Sequence, residues 1–185
     1  MLPAELQSLL NQIDACEVEA EHLIEDLDDE AVNWVPPSGG WSVAQCLSHL
    51  SLMNDFYLRG WPEAVADTAR NGGGPFKGWR PTSMGRSFVW MMEPPYRMKG
   101  KAVKAATPGP RVAREMLLDA YTRSHDVYRQ LVRASAAVDV NLIVQPNAIA
   151  TRVKMRLSTV LLIIPAHYRR HLWQAANVKA LRRGL

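Results

Sequence analysis

The first 58 residues hold 11 acidic side chains and not one Lys or Arg. That stretch offers nothing for a phosphate backbone. The 22 basic residues beyond it begin at Arg59, are scattered over the rest of the chain, and no recognised nucleic-acid motif organises them, so a nucleic-acid partner is not expected. Cysteine is also scarce: Cys16 and Cys46 stand far apart, which excludes a Cys-x-x-Cys redox or zinc pair and leaves buried thiols as the expectation. Long apolar runs are missing. The most apolar stretch, Val160 to Ile164, is far shorter than the roughly 20 residues a membrane helix needs, so no membrane span is expected. No basic-then-apolar leader opens the sequence, and a cytoplasmic location is expected.

The missing cations create an asymmetry beneath a formal net charge of +4. Residues 1–58 carry −11 and the remainder +15. Such a split suggests an acidic first helix lying near basic partners, in its own bundle or in a second subunit. A chain of 185 residues with 48% hydrophobic content and six Trp can bury a substantial core as one domain, 1–185, without metal or disulfide.

Apolar residues Leu6, Leu9, Leu10, Ile13, Cys16, Ala20, Leu23, Ile24 and Leu27 recur every three or four positions and draw a first helix. It is expected to stop at the acidic turn Asp28-Asp29-Glu30 and the Pro36-Pro37-Ser38-Gly39-Gly40 connector. Ser42 followed by Gln45 is a capping box that starts a second helix, with Val43, Cys46, Leu47, Leu50, Met53, Phe56 and Tyr57 inward. That helix is expected to break or kink near Gly60-Trp61-Pro62 and continue toward Arg70. Residues 71–110 are Gly- and Pro-rich and read as a long crossover anchored by Trp79, Trp90 and Tyr96, with a short helix around Ser83 to Met92.

A third helix is predicted from about Val112 to Ala134, with Val112, Met116, Leu117, Ala120, Val127, Leu131 and Ala134 inward. Asp139 to Asn147 reads as an extended link. A fourth helix is predicted from about Leu157 to Leu181, bent just before residue 167 because Pro165 has no N–H to bond Leu161. The predicted class is all-α, a four-helix bundle.

On the fourth helix, at 100° per residue, His171 falls within the stripe of Leu157, Ile164, Tyr168 and Ala175, and His167 lies about 40° away. Two imidazoles one turn apart can chelate one ion. His49, at the edge of the second helix's apolar face, supplies a third arm. Three neutral imidazoles leave a coordination position open, as in catalytic zinc sites, and they suit Zn²⁺ or Ni²⁺. His22 and His125 have plainer explanations, as exposed or helix-face residues. Among carboxylates Asp55 is the one conceivable base, yet it lies near the opposite side of its helix from His49. Tyr57 and Tyr168 are pocket-wall candidates, although inward aromatics more often serve as core.

Two segments are also recognisable. Trp41-Ser42-Val43-Ala44-Gln45-Cys46-Leu47-Ser48-His49-Leu50 resembles the Trp-Ser-x-x-(Glu/Gln)-x-Leu-x-His-Leu start of helix two in the DinB-like superfamily. Ile163 to Gln174 resembles that family's closing His-x-x-x-His-x-x-Gln helix, while the long 71–110 segment departs from its compact pattern. The resemblance implies an up-down-down-up bundle with His49, His167 and His171 as metal ligands. It also implies thiol-dependent S-transfer as one activity, with a low-molecular-weight thiol as a second cofactor. Hydrolysis of a small electrophilic substrate follows equally from an open metal position. A homodimer fits either activity, and a metal-binding or partner-binding bundle without turnover is the alternative.

Overall fold

Ser42 opens the helix that carries the first of the three histidines, and both halves of its capping box form. In the computed structural model, which describes residues 1–95 and 102–184, Gln45 N–H donates to Ser42 Oγ at 3.1 Å and Ser42 N–H to Gln45 Oε1 at 3.0 Å. The helix, Val43–Leu58, is α3 in a chain order of α1 (Ala4–Ile24), α2 (Asp29–Val32), α3, α4 (Trp61–Arg70), α5 (Ser83–Met92), α6 (Arg114–Ala134) and α7 (Leu157–Arg183). Tyr96 lies outside the described residues.

α1 buries the predicted stripe from Leu6 to Ile24. The acidic turn after it is more than a stop: Asp28 accepts from Ala31 N–H at 2.7 Å and caps the single turn α2. α3 ends where Gly60 takes a positive φ of 82°, a conformation a Cβ would strain, and α4 restarts with Pro62 in its first turn, where a missing N–H costs little. The short helix α5 is capped by Thr82 and packs on α7. A Cβ on Gly85 would come within 2.6 Å of Thr159 Oγ1, so glycine is what lets α5 approach α7 so closely.

The predicted inner face of α6 holds only in part, at Leu117 and Leu131. Met116 and Val127 are exposed, and the buried residues are Leu117, Tyr121, Ser124, His125, Tyr128, Leu131 and Val132. The true stripe keeps a helical period but is built on two tyrosines. Each hydroxyl finds a carbonyl in the core: Tyr121 donates to Cys16 O at 3.4 Å and Tyr128 to Leu161 O at 2.7 Å. The second contact explains how α7 runs unbroken through Pro165. Leu161 O is the carbonyl that residue 165 would have bonded, and Tyr128 takes that place.

The link before α7 is extended, as expected, but it also has a partner. β1 (Val144–Pro146) pairs antiparallel with β2 (Lys154–Arg156), with Val144 opposite Arg156. Ile143 O and Val140 O then accept from the N–H groups of Leu157 and Ser158 at 2.9 and 3.1 Å, satisfying donors that the start of a helix leaves unpaired.

α1 and α3 each pack against both α6 and α7. Leu6, Ile13, Leu47, Leu50, Leu131 and Leu161 are fully buried between them. Cys16 and Cys46 are buried thiols, as expected, each pushed up to about 12 chiefly by burial. Part of the charge split is matched within the chain. Arg129 bridges Asp14 and Glu17 of α1, Lys179 and Arg183 of α7 meet Asp26, and Arg111 meets Asp29. No helix among the described residues is long and apolar enough to cross a membrane.

Candidate metal centre

α3 presents His49 and α7 presents His167 and His171 to the same point. Their candidate ligand nitrogens lie within 4.8 Å of one another, and the Nε2 atoms of His167 and His171 are 3.1 Å apart. Metal–nitrogen bonds of about 2.0–2.1 Å in a tetrahedron place ligand nitrogens roughly 3.3 Å apart. One pair is already at that spacing. His49 stands with them: its ring centroid is 4.6 Å from that of His171, the same as between His167 and His171, and 5.3 Å from that of His167.

Ring orientation decides whether these nitrogens can bind. His49 Nδ1–H donates to Ala106 O at 2.6 Å, in a 3₁₀ turn at Lys104–Ala106, and His171 Nδ1–H donates to Gln174 Oε1 at 3.0 Å. Each bond places the proton on Nδ1 and leaves the Nε2 lone pair facing the cluster. His167 also lines a small void together with Asn54 and Tyr168. Asn54 donates through Nδ2 to Ser124 O, and its buried Oδ1 has no partner among the described residues.

All three imidazoles are held uncharged near neutral pH. Burial lowers His49, against the pull of its bond to Ala106. Burial and then His49 bring His171 down to about 3, and burial followed by His171, His49 and Arg170 takes His167 well below the usual histidine range. A neutral imidazole with a free lone pair is the form that ligates a metal, so the three residues fit a divalent ion and can hold one. A family model described as the DinB superfamily matches residues 12–175, a range that includes all three histidines.

The chain belongs to the DinB superfamily.

No curated protein and no solved structure matches it. Beside the histidines this DinB-superfamily chain has a cavity of about 910 Å³. Trp41 walls one side, its ring 4.6 Å from His49 and 5.7 Å from His171. Tyr57 lines the cavity, whereas Tyr168 is core.

Asp55 is exposed and is not part of the cavity wall, so the one carboxylate singled out as a conceivable base plays no part there. His22 is exposed. His125 is fully buried rather than exposed, away from the cluster and against Glu17 of α1. Sequence reasoning missed Ala106, because its contact with His49 spans 57 residues of chain. It also missed Trp41 as a wall, although that residue opens the first motif.

Proposed function

We propose that this chain is a metal-dependent enzyme built on an up-down-down-up four-helix bundle, in which His49, His167 and His171 hold one Zn²⁺ or Ni²⁺ ion. The supporting observation is the convergence of three uncharged imidazoles, two with Nδ1 tied to an acceptor, at the edge of a cavity large enough for a substrate. An ion held there supplies Lewis acidity that lowers the pKa of a thiol or a water, so that a nucleophile exists near neutrality.

The chain's own residues do the rest. Ala106 O and Gln174 Oε1 fix the tautomers and aim two rings, and Trp41 packs against His49 and His171. The three imidazoles leave a position open for the incoming group. S-transfer from a low-molecular-weight thiol to an electrophile is the favoured reaction, with hydrolysis the other outcome of the same activation.

The test is conjugation of an activated aryl halide by metal-loaded protein with glutathione, bacillithiol, mycothiol and coenzyme A in turn. Product should require both a thiol and the metal and vanish on chelation. Metal-independent conjugation, or none with any thiol, would overturn the transferase reading. A parallel screen with activated esters then decides for hydrolysis or against catalysis.

A further inference from the structure

We propose that the cavity beside the histidine cluster takes an amphiphilic ligand with one anionic head and an extended apolar body. The inference deepens the metal reading above and rests on it.

Size is the first observation. At about 910 Å³ the cavity lies near the top of the roughly 300–1,000 Å³ range of small-molecule sites, far more than water or a two-carbon electrophile needs. Its walls set the body of the ligand. Phe88, Met91 and Met92 of α5 face Ile163 of α7, and Val103 and Ile149 close the sides. The two thioether side chains are unbranched and adaptable, which suits a flexible alkyl or aryl chain rather than one rigid shape.

Charge sets the head. Not one Asp or Glu is among the described lining residues. Among the described lining residues the side chain of fixed charge is Arg170, whose Nη1 donates to Met91 O at 3.0 Å and ties the guanidinium to the end of α5. Imidazole is a neutral ligand, so a divalent ion held by the three histidines would keep its full charge. In an apolar cavity that excess positive charge is costly until an anion balances it. A carboxylate and a thiolate share the required chemistry. A neutral apolar molecule leaves the charge unbalanced, and an ammonium adds to it.

The experiment is calorimetric titration of metal-assayed protein near neutral pH with octanoate, octanethiol, octanamide, octylamine and acetate. Octanoate or octanethiol should bind at least about tenfold more tightly than octanamide, octylamine should be the weakest of the eight-carbon probes, and acetate should be at least about tenfold weaker than octanoate. Whichever of octanoate and octanethiol binds more tightly identifies the head. In Arg170→Gln the preference for octanoate over octanamide should shrink severalfold, while Arg170→Lys should retain it, with circular dichroism confirming the fold of both.

Octanamide equalling octanoate in protein that carries one ion per chain would overturn this inference and leave the metal reading intact. A wild type that holds no metal would overturn the metal reading. The octanoate and octanamide pair, in wild type and Arg170→Gln, would then decide whether Arg170 alone selects an anion, and equal binding of the two probes would end the proposal.

Discussion

α7 takes part in two histidine sites of opposite character. His167 and His171 meet His49 beside the cavity, whereas Tyr168, next in sequence to His167, packs its ring 4.5 Å from His125 in the core. Both sites hold neutral imidazoles, so a depressed pKa does not distinguish a candidate ligand from a structural histidine. Convergence does. His125 stands alone between Tyr121 and Tyr168, with Nδ1–H donated to Glu17 at 2.8 Å and Nε2 buried without a partner among the described residues. Burial outweighs Glu17 and takes His125 down to about 4, so this contact is a hydrogen bond from a neutral ring near pH 7 rather than an ion pair.

The largest expected difference between the two sites is in metal affinity. His49→Ala or His171→Ala should weaken binding by about 10³-fold or more, measured by competition with a chelator, because two imidazoles remain. His125→Ala should leave affinity within about twofold, since it removes no ligand. A large loss of metal affinity in folded His125→Ala would erase the distinction.

Stability should show the opposite pattern. His125→Ala removes a fully buried ring from between two tyrosines and leaves Glu17 with Arg129 as its remaining partner, and should cost about 3 kcal/mol in urea unfolding of the metal-free protein. His167→Ala, at a half-buried position beside the cavity, should cost clearly less.

pH sharpens the contrast. His125 has a folded pKa of about 4 against 6.5 for the ordinary group, so the unfolded chain takes up the proton first. Its contribution is therefore intact above pH 6.5 and is lost as pH falls toward 4, by up to about 3 kcal/mol. In metal-free protein the stability gap between wild type and His125→Gln should narrow over that window, and a constant gap would show that His125 titrates normally in the fold.

The smallest effect concerns aim. Gln174→Ala removes the acceptor of His171 Nδ1–H and should reduce metal affinity about tenfold with no change in circular dichroism, whereas the Glu17→Gln substitution beside His125 should not alter it.

How far such contrasts can be read from sequence depends on how local the causes are. The start of α3 was legible because Ser42 and Gln45 satisfy each other three residues apart, and the pair on α7 because one helical turn fixes its geometry. The inner face of α6 was legible only at Leu117 and Leu131, because Tyr121 and Tyr128 count as polar until Cys16 O and Leu161 O, on other helices, receive their hydroxyls. Asp28 read as a stop because a one-turn helix has no period to detect. β1 was seen as an extended link without its partner, since three residues carry too little alternation to announce β2. The Ala106 carbonyl that orients His49 comes from the crossover, which has no sustained pattern of its own.

X-ray absorption of metal-loaded wild-type protein tests the shared site most directly. The account predicts three imidazole nitrogens in one shell at about 2.0–2.1 Å for Zn²⁺. Two imidazoles or fewer around the ion, or a shell rich in sulfur, would contradict it.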